Sequence, residues 1–295
     1  MKKLLSALLA SLALVVSACS TSPYSVGGDG ITIGAANFPE SEIIARIWAG
    51  ALRDNGYDVN VIPGIGSREV YLGAVEEGSV DIVPDYSGNL AQFFAPNPLP
   101  PGSGEEDVDQ ALKQYLPTDL KVGAQAPAES RDSYRVLPSL GITSLEQLPE
   151  IGGFTLAGNP ELATRPYGPE GLQELYGATE ITMLPIADGG GPLTIAALSA
   201  GRAQLADIYT TSPTLDDKGQ PLDLVELADP KQLILPQHIL PVARKEVPAE
   251  ALAVLARVNQ QLTTEDMVAL NTRSIGEEKA SAYTIARDWL AEHPH

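Results

Sequence analysis

Few residues in this 295-residue chain are equipped for covalent chemistry, and those few are poorly placed for it. There is one cysteine, Cys19, and of three histidines only His238 lies outside the C-terminal tail. A nucleophile, a base and an orienting acid cannot be assembled convincingly from that set. One cysteine and one placeable histidine also argue against a zinc site, so neither a catalytic residue, a metal nor a cofactor is expected. The run Asp188-Gly189-Gly190-Gly191-Pro192 tempts a phosphate-loop reading, but no Lys-Ser/Thr pair follows it. What remains is the chemistry of binding. In GSVDIVPDYSGN, residues 78–89, the β-formers Val80, Ile82 and Val83 follow a helix-stopping Gly78; Pro84 cuts the run, and Asp85, Tyr86 and Ser87 come next. In open α/β sheets, ligands sit at the carboxyl ends of strands. A tyrosine there is either a ligand contact or a plug for the top of the sheet, and this segment alone fits a plug.

The elements that must position Tyr86 follow a regular grammar. A strand is expected at Ile31 to Gly34, then a helix from Pro39 with Ile44, Ile47, Trp48, Ala51 and Leu52 at helical spacing and Gly56 as its stop. A short strand at Asp58 to Ile62 and a helix opened by Ser67 precede the strand that ends at Tyr86. This βαβαβ order predicts a doubly wound sheet. Residues 95–104 read as a surface loop before a helix at Glu105 to Leu116 and a strand near Leu120 to Ala124. The second half repeats the pattern with strands at Phe154, Ile181 and Ala203 and helices at Pro169 and Pro192. At an offset of 123 residues Ala74 falls on Ala197, Gly78 on Gly201, Ile82 on Leu205 and Tyr86 on Tyr209. Two α/β lobes each finishing the same strand with a tyrosine imply a cleft between them, a common place for a small-molecule site. After residue 243 the chain turns helical, with segments expected at Pro248 to Leu262, Thr264 to Asn271 and Gly276 to Glu292.

The ends and totals narrow the partners. Lys2 and Lys3 precede thirteen largely apolar residues, Leu4 to Val16, too few to span a bilayer. Val16-Ser17-Ala18-Cys19 then resembles the lipobox of bacterial lipoproteins, which explains a solitary cysteine better than a disulfide would. Residues 1–18 are thus expected to be a signal peptide and 19–30 a lipidated, glycine-rich tether, placing the protein on the extracytoplasmic face of the cell membrane. No later stretch is long and apolar enough to span a membrane. Without Lys2 and Lys3, seventeen basic side chains face thirty-eight acidic ones, a formal charge of −21. Such a surface supplies none of the cationic footprint that nucleic acid needs, and excludes it as a partner.

From Ile31 to about Glu292 the chain resembles the substrate-binding proteins of ABC importers for osmoprotectants: glycine betaine, choline, proline betaine or carnitine. The resemblance rests on ordered stations: Asn37-Phe38-Pro39-Glu40, Asp85-Tyr86-Ser87-Gly88, Asp132-Ser133-Tyr134, Arg165 with Gly168, Asp188-Gly189, Tyr209-Thr210-Thr211, Pro241-Val242-Ala243-Arg244 and Leu262-Thr263-Thr264-Glu265-Asp266-Met267. It implies an α/β type II periplasmic-binding-protein fold with two interlobe crossovers and the ligand in the cleft. Lobe I would be residues 31–130 plus 237–295, and lobe II residues 131–236. A quaternary ammonium has no N–H to donate, so it is held against aromatic faces, and ten of the sixteen aromatic residues here are tyrosine. The resemblance implies box walls from Tyr86, Tyr134 and Tyr209, with the backbone carbonyl of Asp132 facing the cation. It implies Arg165 as a carboxylate clamp, helped by Asn89, with Phe38 as either a rim contact or packing.

Two departures stand out. Ala36 sits where some members carry a lysine, and His238 is the only candidate for the fourth aromatic wall. The expected function is a solute-binding, non-enzymatic component working as a monomer with permease and ATPase subunits. A neutral polyol or aromatic solute on the same tyrosines, or a ligand sensor without transport, are the alternatives.

Overall fold

The computed structural model describes residues 30–216 and 219–295. The expected signal peptide, Cys19 and nearly all of the tether lie outside the described residues. In chain order the elements are β1 (Ile31–Gly34), α1 (Pro39–Asp54), β2 (Val59–Ile62), α2 (Arg68–Glu76), β3 (Ile82–Tyr86), α3 (Ser87–Phe94), α4 (Glu105–Tyr115) and β4 (Leu120–Val122). There follow β5 (Tyr134–Val136), β6 (Phe154–Gly158), α5 (Pro169–Tyr176), β7 (Ile181–Pro185), α6 (Pro192–Ser199), β8 (Leu205–Asp207) and β9 (Val225–Glu226). The chain then returns as β10 (Ile239–Arg244) and closes with α7 (Ala249–Asn259), α8 (Thr264–Ile275) and α9 (Ala282–Glu292).

Two five-stranded sheets result, in orders β2-β1-β3-β10-β4 and β7-β6-β8-β5-β9. They share one plan. In the first, β1 runs parallel to β2 and β3, while β10 runs antiparallel to β3 and β4. In the second, β6 is parallel to β7 and β8, while β5 is antiparallel to β8 and β9. The antiparallel strand of each sheet arrives from a crossover: 123–133 outward and 227–238 back. The two crossovers lie side by side, bridged at Glu129 and His238 and by the Ser130 N–H donating to the Gln237 carbonyl at 3.0 Å. Two lobes joined by a double connection are the outcome.

β3 continues through Pro84 rather than ending there, as the sequence had suggested. Pro84 stands opposite Pro241 on β10, whose carbonyl accepts from the Gly123 N–H on the β4 side at 2.9 Å. At this rung β10 turns its polar groups away from β3, so a missing N–H on Pro84 removes no bond from the β3–β10 ladder. The strand therefore carries Asp85 and Tyr86 to the very end of the sheet, where Tyr86 also precedes α3 as its N-cap.

Helix α1 packs its whole apolar stripe, including Ile43, Ile44, Ile47, Trp48 and Leu52, against the first sheet and the C-terminal helices. The Trp48 indole donates to Asn259 Oδ1 at 2.8 Å, and Asn259 donates in turn to the Ala124 carbonyl at 2.7 Å, so this core also anchors the outgoing crossover. The last helix begins at Ala282, six residues later than expected. Lys279 takes a left-handed φ of 48°, which breaks the helix, and the Ser281 hydroxyl caps the new start by accepting from the Thr284 N–H at 3.1 Å. Among the described residues no helix is long and apolar enough to cross a membrane.

Candidate functional site

The carboxyl ends of β3 and β8 meet at one hollow of about 670 Å³, counted out to its open mouth. Five aromatic side chains line it: Phe38, Tyr71 and Tyr86 from the first lobe, Tyr167 and Tyr209 from the second. Phe38 links the tyrosines expected from the internal repeat. Its ring centroid lies 6.3 Å from that of Tyr86, stacked at 27°, and 5.7 Å from that of Tyr209, edge-on at 68°. Phe38 thus lines the hollow and packs between the two tyrosines. Each tyrosine is fixed by its hydroxyl: Tyr86 donates to Glu40 Oε1 at 2.7 Å, and Tyr209 accepts from Asn159 Nδ2 at 3.0 Å. Burial, above all, pushes the phenols of Tyr71, Tyr86, Tyr167 and Tyr209 well above their ordinary range. They are neutral rings at the border of the hollow.

Tyr134 does not reach it. Along β5, Tyr134 and Val136 share one face, and both enter the core of the second lobe. The Tyr134 hydroxyl donates to the Tyr167 carbonyl, so this residue supports the wall that Tyr167 supplies. His238 does not reach it either. Ile239, next along, faces the core, while the imidazole turns outward with Nδ1 3.0 Å from the Ala126 carbonyl and Nε2 3.3 Å from Glu105. Its backbone exchanges hydrogen bonds with Ser87, joining the return crossover to α3.

Asn89, Asp132 and Arg165 do line the hollow. Asn89 Nδ2 donates to Asp132 Oδ2 at 2.9 Å, and its Oδ1 accepts from Gln237 at 2.8 Å. The Asp132 carboxylate, rather than the backbone carbonyl expected from the resemblance, is the group whose contact beside the hollow is defined. Arg165 pairs with Glu69 of α2 at 2.8 Å, across the two lobes. Burial works against ionisation of Glu69, but its own backbone N–H, the Ser67 hydroxyl and Arg165 outweigh it and lower the carboxyl's pKa.

Several groups here were not expected from the sequence. Arg68, the first residue of α2, is largely but not fully buried and grips Asp85 at 2.8, 3.1 and 3.2 Å. Burial opposes its charge, yet Asp85 holds the guanidinium pKa well above its usual value. The available signal was positional: α2 starts just past the carboxyl end of β2, at the same edge of the sheet as Tyr86. Asp207 ends β8 and lines the hollow beside Asp132, close enough for the two carboxyls to act on each other electrostatically. Burial first and Asp132 second raise its carboxyl well above the carboxylate range, and burial raises Asp132 too. Like charges so close oppose each other's ionisation.

The glycine run is a helix entry, as read from the sequence. The Asp188 carboxylate accepts from the N–H groups of Gly191, Leu193 and Thr194 at 3.2, 2.7 and 3.2 Å, capping α6. Gly190, at φ 70°, passes so near β8 that a Cβ would stand 2.7 Å from the Ile208 Cα. Only glycine fits there. Among the described residues no group of three or more His, Cys, Asp or Glu side chains is arranged to hold a metal ion.

Residues 29–292 match the family model described as the substrate binding domain of ABC-type glycine betaine transport system. The glycine betaine-binding protein YehZ of Escherichia coli strain K12 is 26% identical over 279 residues, spanning 89% of this chain and 90% of its own. The solved structure of apo YehZ from Escherichia coli resembles this one with a TM-score of 0.63 at 24% identity, covering 90% of this chain and 99% of that one. A glycine betaine/carnitine/choline ABC transporter structure gives a TM-score of 0.66 at 19% identity, covering 89% and 98%. The structural likenesses share the two-lobed α/β fold.

Proposed function

The chain belongs to the family of substrate-binding domains of ABC-type glycine betaine transport systems, and from that premise we propose that it captures a quaternary ammonium solute in the aromatic hollow between its lobes. Five rings around one space carry this reading. A quaternary ammonium offers only methyl groups, and neutral phenol and phenyl faces attract those methyls electrostatically without asking for a hydrogen bond. Tyr71, Tyr86, Tyr167, Tyr209 and Phe38 are the walls, and hydroxyl bonds hold Tyr86 and Tyr209 in place before the ligand arrives, which limits the ordering cost of binding. Lobes joined by two crossovers close by rotation about Ser130 and Gln237. The loaded form docks on permease and ATPase subunits, with no chemistry performed on the solute.

In the same reading Cys19 carries the lipid that keeps the protein at the extracytoplasmic face of the membrane, and Cys19→Ser releases the chain to the soluble fraction. The binding test is a thermal-shift titration with choline, glycine betaine and carnitine against neutral polyols and phenolics. A ligand at a hundred times its Kd adds about 2.7 kcal/mol of apparent stability. A shift with the quaternary amines alone supports the assignment; a shift with polyols or phenolics alone overturns it.

A further inference from the structure

The charges around the hollow do not balance, and the imbalance specifies the ligand further. Five charged side chains line it: Arg68, Arg165, Asp132, Glu161 and Asp207. Both cations are already engaged. Arg68 is gripped by the buried Asp85, and Arg165 by Glu69. Among the described residues no Lys or Arg forms an ion pair with Asp132, Glu161 or Asp207. Ala36 contributes no charge either, though it lines the same space. Asp207 is only 2% exposed, and its Oδ1 has no hydrogen-bond partner. A buried carboxylate oxygen without a hydrogen bond is costly, and a cation held nearby in the hollow offsets that cost through its charge.

Resting on the reading above, we propose that the Asp132–Asp207 carboxylate pair is the counter-charge for the ligand's ammonium head, and that the site therefore selects net-cationic quaternary amines over zwitterions that also bear a carboxylate. A ligand carboxylate entering this hollow meets three acidic side chains and must share an arginine with Glu69 or Asp85. A ligand cation meets the pair directly, stabilising its ionised form while the tyrosine faces surround the methyl groups.

Three probes separate the terms: choline, a cation; glycine betaine, a zwitterion; and 3,3-dimethyl-1-butanol, the uncharged carbon isostere of choline. Each is titrated into the full chain by calorimetry at neutral pH and low salt. We expect choline to bind at least tenfold tighter than either of the others, and Asp207→Asn to shrink the advantage over the isostere at least threefold. A choline advantage below tenfold over glycine betaine, with both binding, overturns the inference and leaves the quaternary-ammonium reading standing. An isostere within tenfold of choline overturns the counter-charge role in the same way. If neither choline nor glycine betaine binds, the underlying reading fails and the inference with it. The ranking is measured on the unsubstituted chain, so it holds even if Asp207→Asn does not fold; far-ultraviolet circular dichroism checks that variant.

Discussion

Asp85→Asn is the substitution whose consequence follows most directly from the arrangement at the end of β3. The Asp85 side chain is fully buried, and that of Arg68 is 10% exposed. Asparagine keeps the oxygen that accepts from the Tyr86 N–H, now at 2.7 Å, and preserves the volume. What it removes is the charge facing three close N···O contacts from Arg68. Breaking a buried pair strands the remaining ion in a medium that solvates it poorly, at a cost of about 3–5 kcal/mol. Because a buried pair is itself no better than apolar residues of similar size, Arg68→Met combined with Asp85→Asn should be milder than the sum of the single changes. The coupling should be about 2 kcal/mol. Urea unfolding of the four proteins, with midpoint and slope both fitted, measures this. A loss below about 1 kcal/mol for Asp85→Asn, or a double variant whose loss is additive, would show that the pair is screened and that the charge inventory drawn from it is wrong.

Tyr209→Leu retains bulk but removes the π face and the bond from Asn159; calorimetry should show at least a tenfold loss for choline, about 1–2 kcal/mol, and unchanged affinity would remove Tyr209 from the wall. The raised carboxyls of Asp207 and Asp132 mean that the folded state holds their proton more tightly than the unfolded chain does. That contribution to stability is complete below the unfolded aspartate pKa, near 4, and is lost as pH rises through the folded values. The charged groups around the pair are Glu161, Arg68 and Arg135. Urea midpoints from pH 4 to 8 should therefore fall more steeply with pH for the unsubstituted protein than for Asp207→Asn, while choline affinity rises with pH; parallel midpoint curves would refute the shift. Glu40→Ala removes the acceptor for the Tyr86 hydroxyl at 2.7 Å, the Thr211 hydroxyl at 2.5 Å and Asn271 Nδ2 at 2.6 Å. Since Thr211 and Asn271 keep other partners, the expected loss is about 2 kcal/mol by thermal or urea unfolding, with weaker ligand binding as Tyr86 loosens; an unchanged midpoint would show the network to be dispensable.

Periodicity made the scaffold readable. The i, i+3, i+4 spacing of Ile44, Ile47, Trp48, Ala51 and Leu52 marked the buried stripe of α1, and alternating strands and helices marked two α/β lobes. The repeat pairing Tyr86 with Tyr209 pointed to two side chains that do share one hollow. Side-chain direction was harder to read. Tyr134 and Tyr167 are both lobe-two tyrosines of one buried cluster; strand parity, shared with Val136, keeps Tyr134 inside it, whereas Tyr167, in the turn before α5, also reaches the hollow. The Arg68–Asp85 pair joins residues seventeen apart on different elements, and neither helical nor strand spacing links them. Pro84 misled for a definite reason: its cost in a strand depends on the residue opposite, and Pro241 lies more than 150 positions away.

The ion pair that crosses the lobes bears on ligand choice as well as on closure. Glu69 rides on α2 of the first lobe and Arg165 on the second, 2.8 Å apart. A ligand carboxylate that takes Arg165 from Glu69 exchanges one anion for another at the same guanidinium, with little net Coulombic gain, and releases a contact between the lobes. A ligand cation at Asp132–Asp207 favours ionisation of that pair and leaves both arginine pairs intact. Cation capture and lobe closure therefore reinforce each other, whereas carboxylate capture and closure compete for one side chain. Glu69→Gln separates the two: it frees Arg165 from its anionic partner, and glycine betaine affinity should rise relative to choline by several-fold in paired calorimetric titrations. A falling ratio would mean that Arg165 acts in binding only while Glu69 holds it in position.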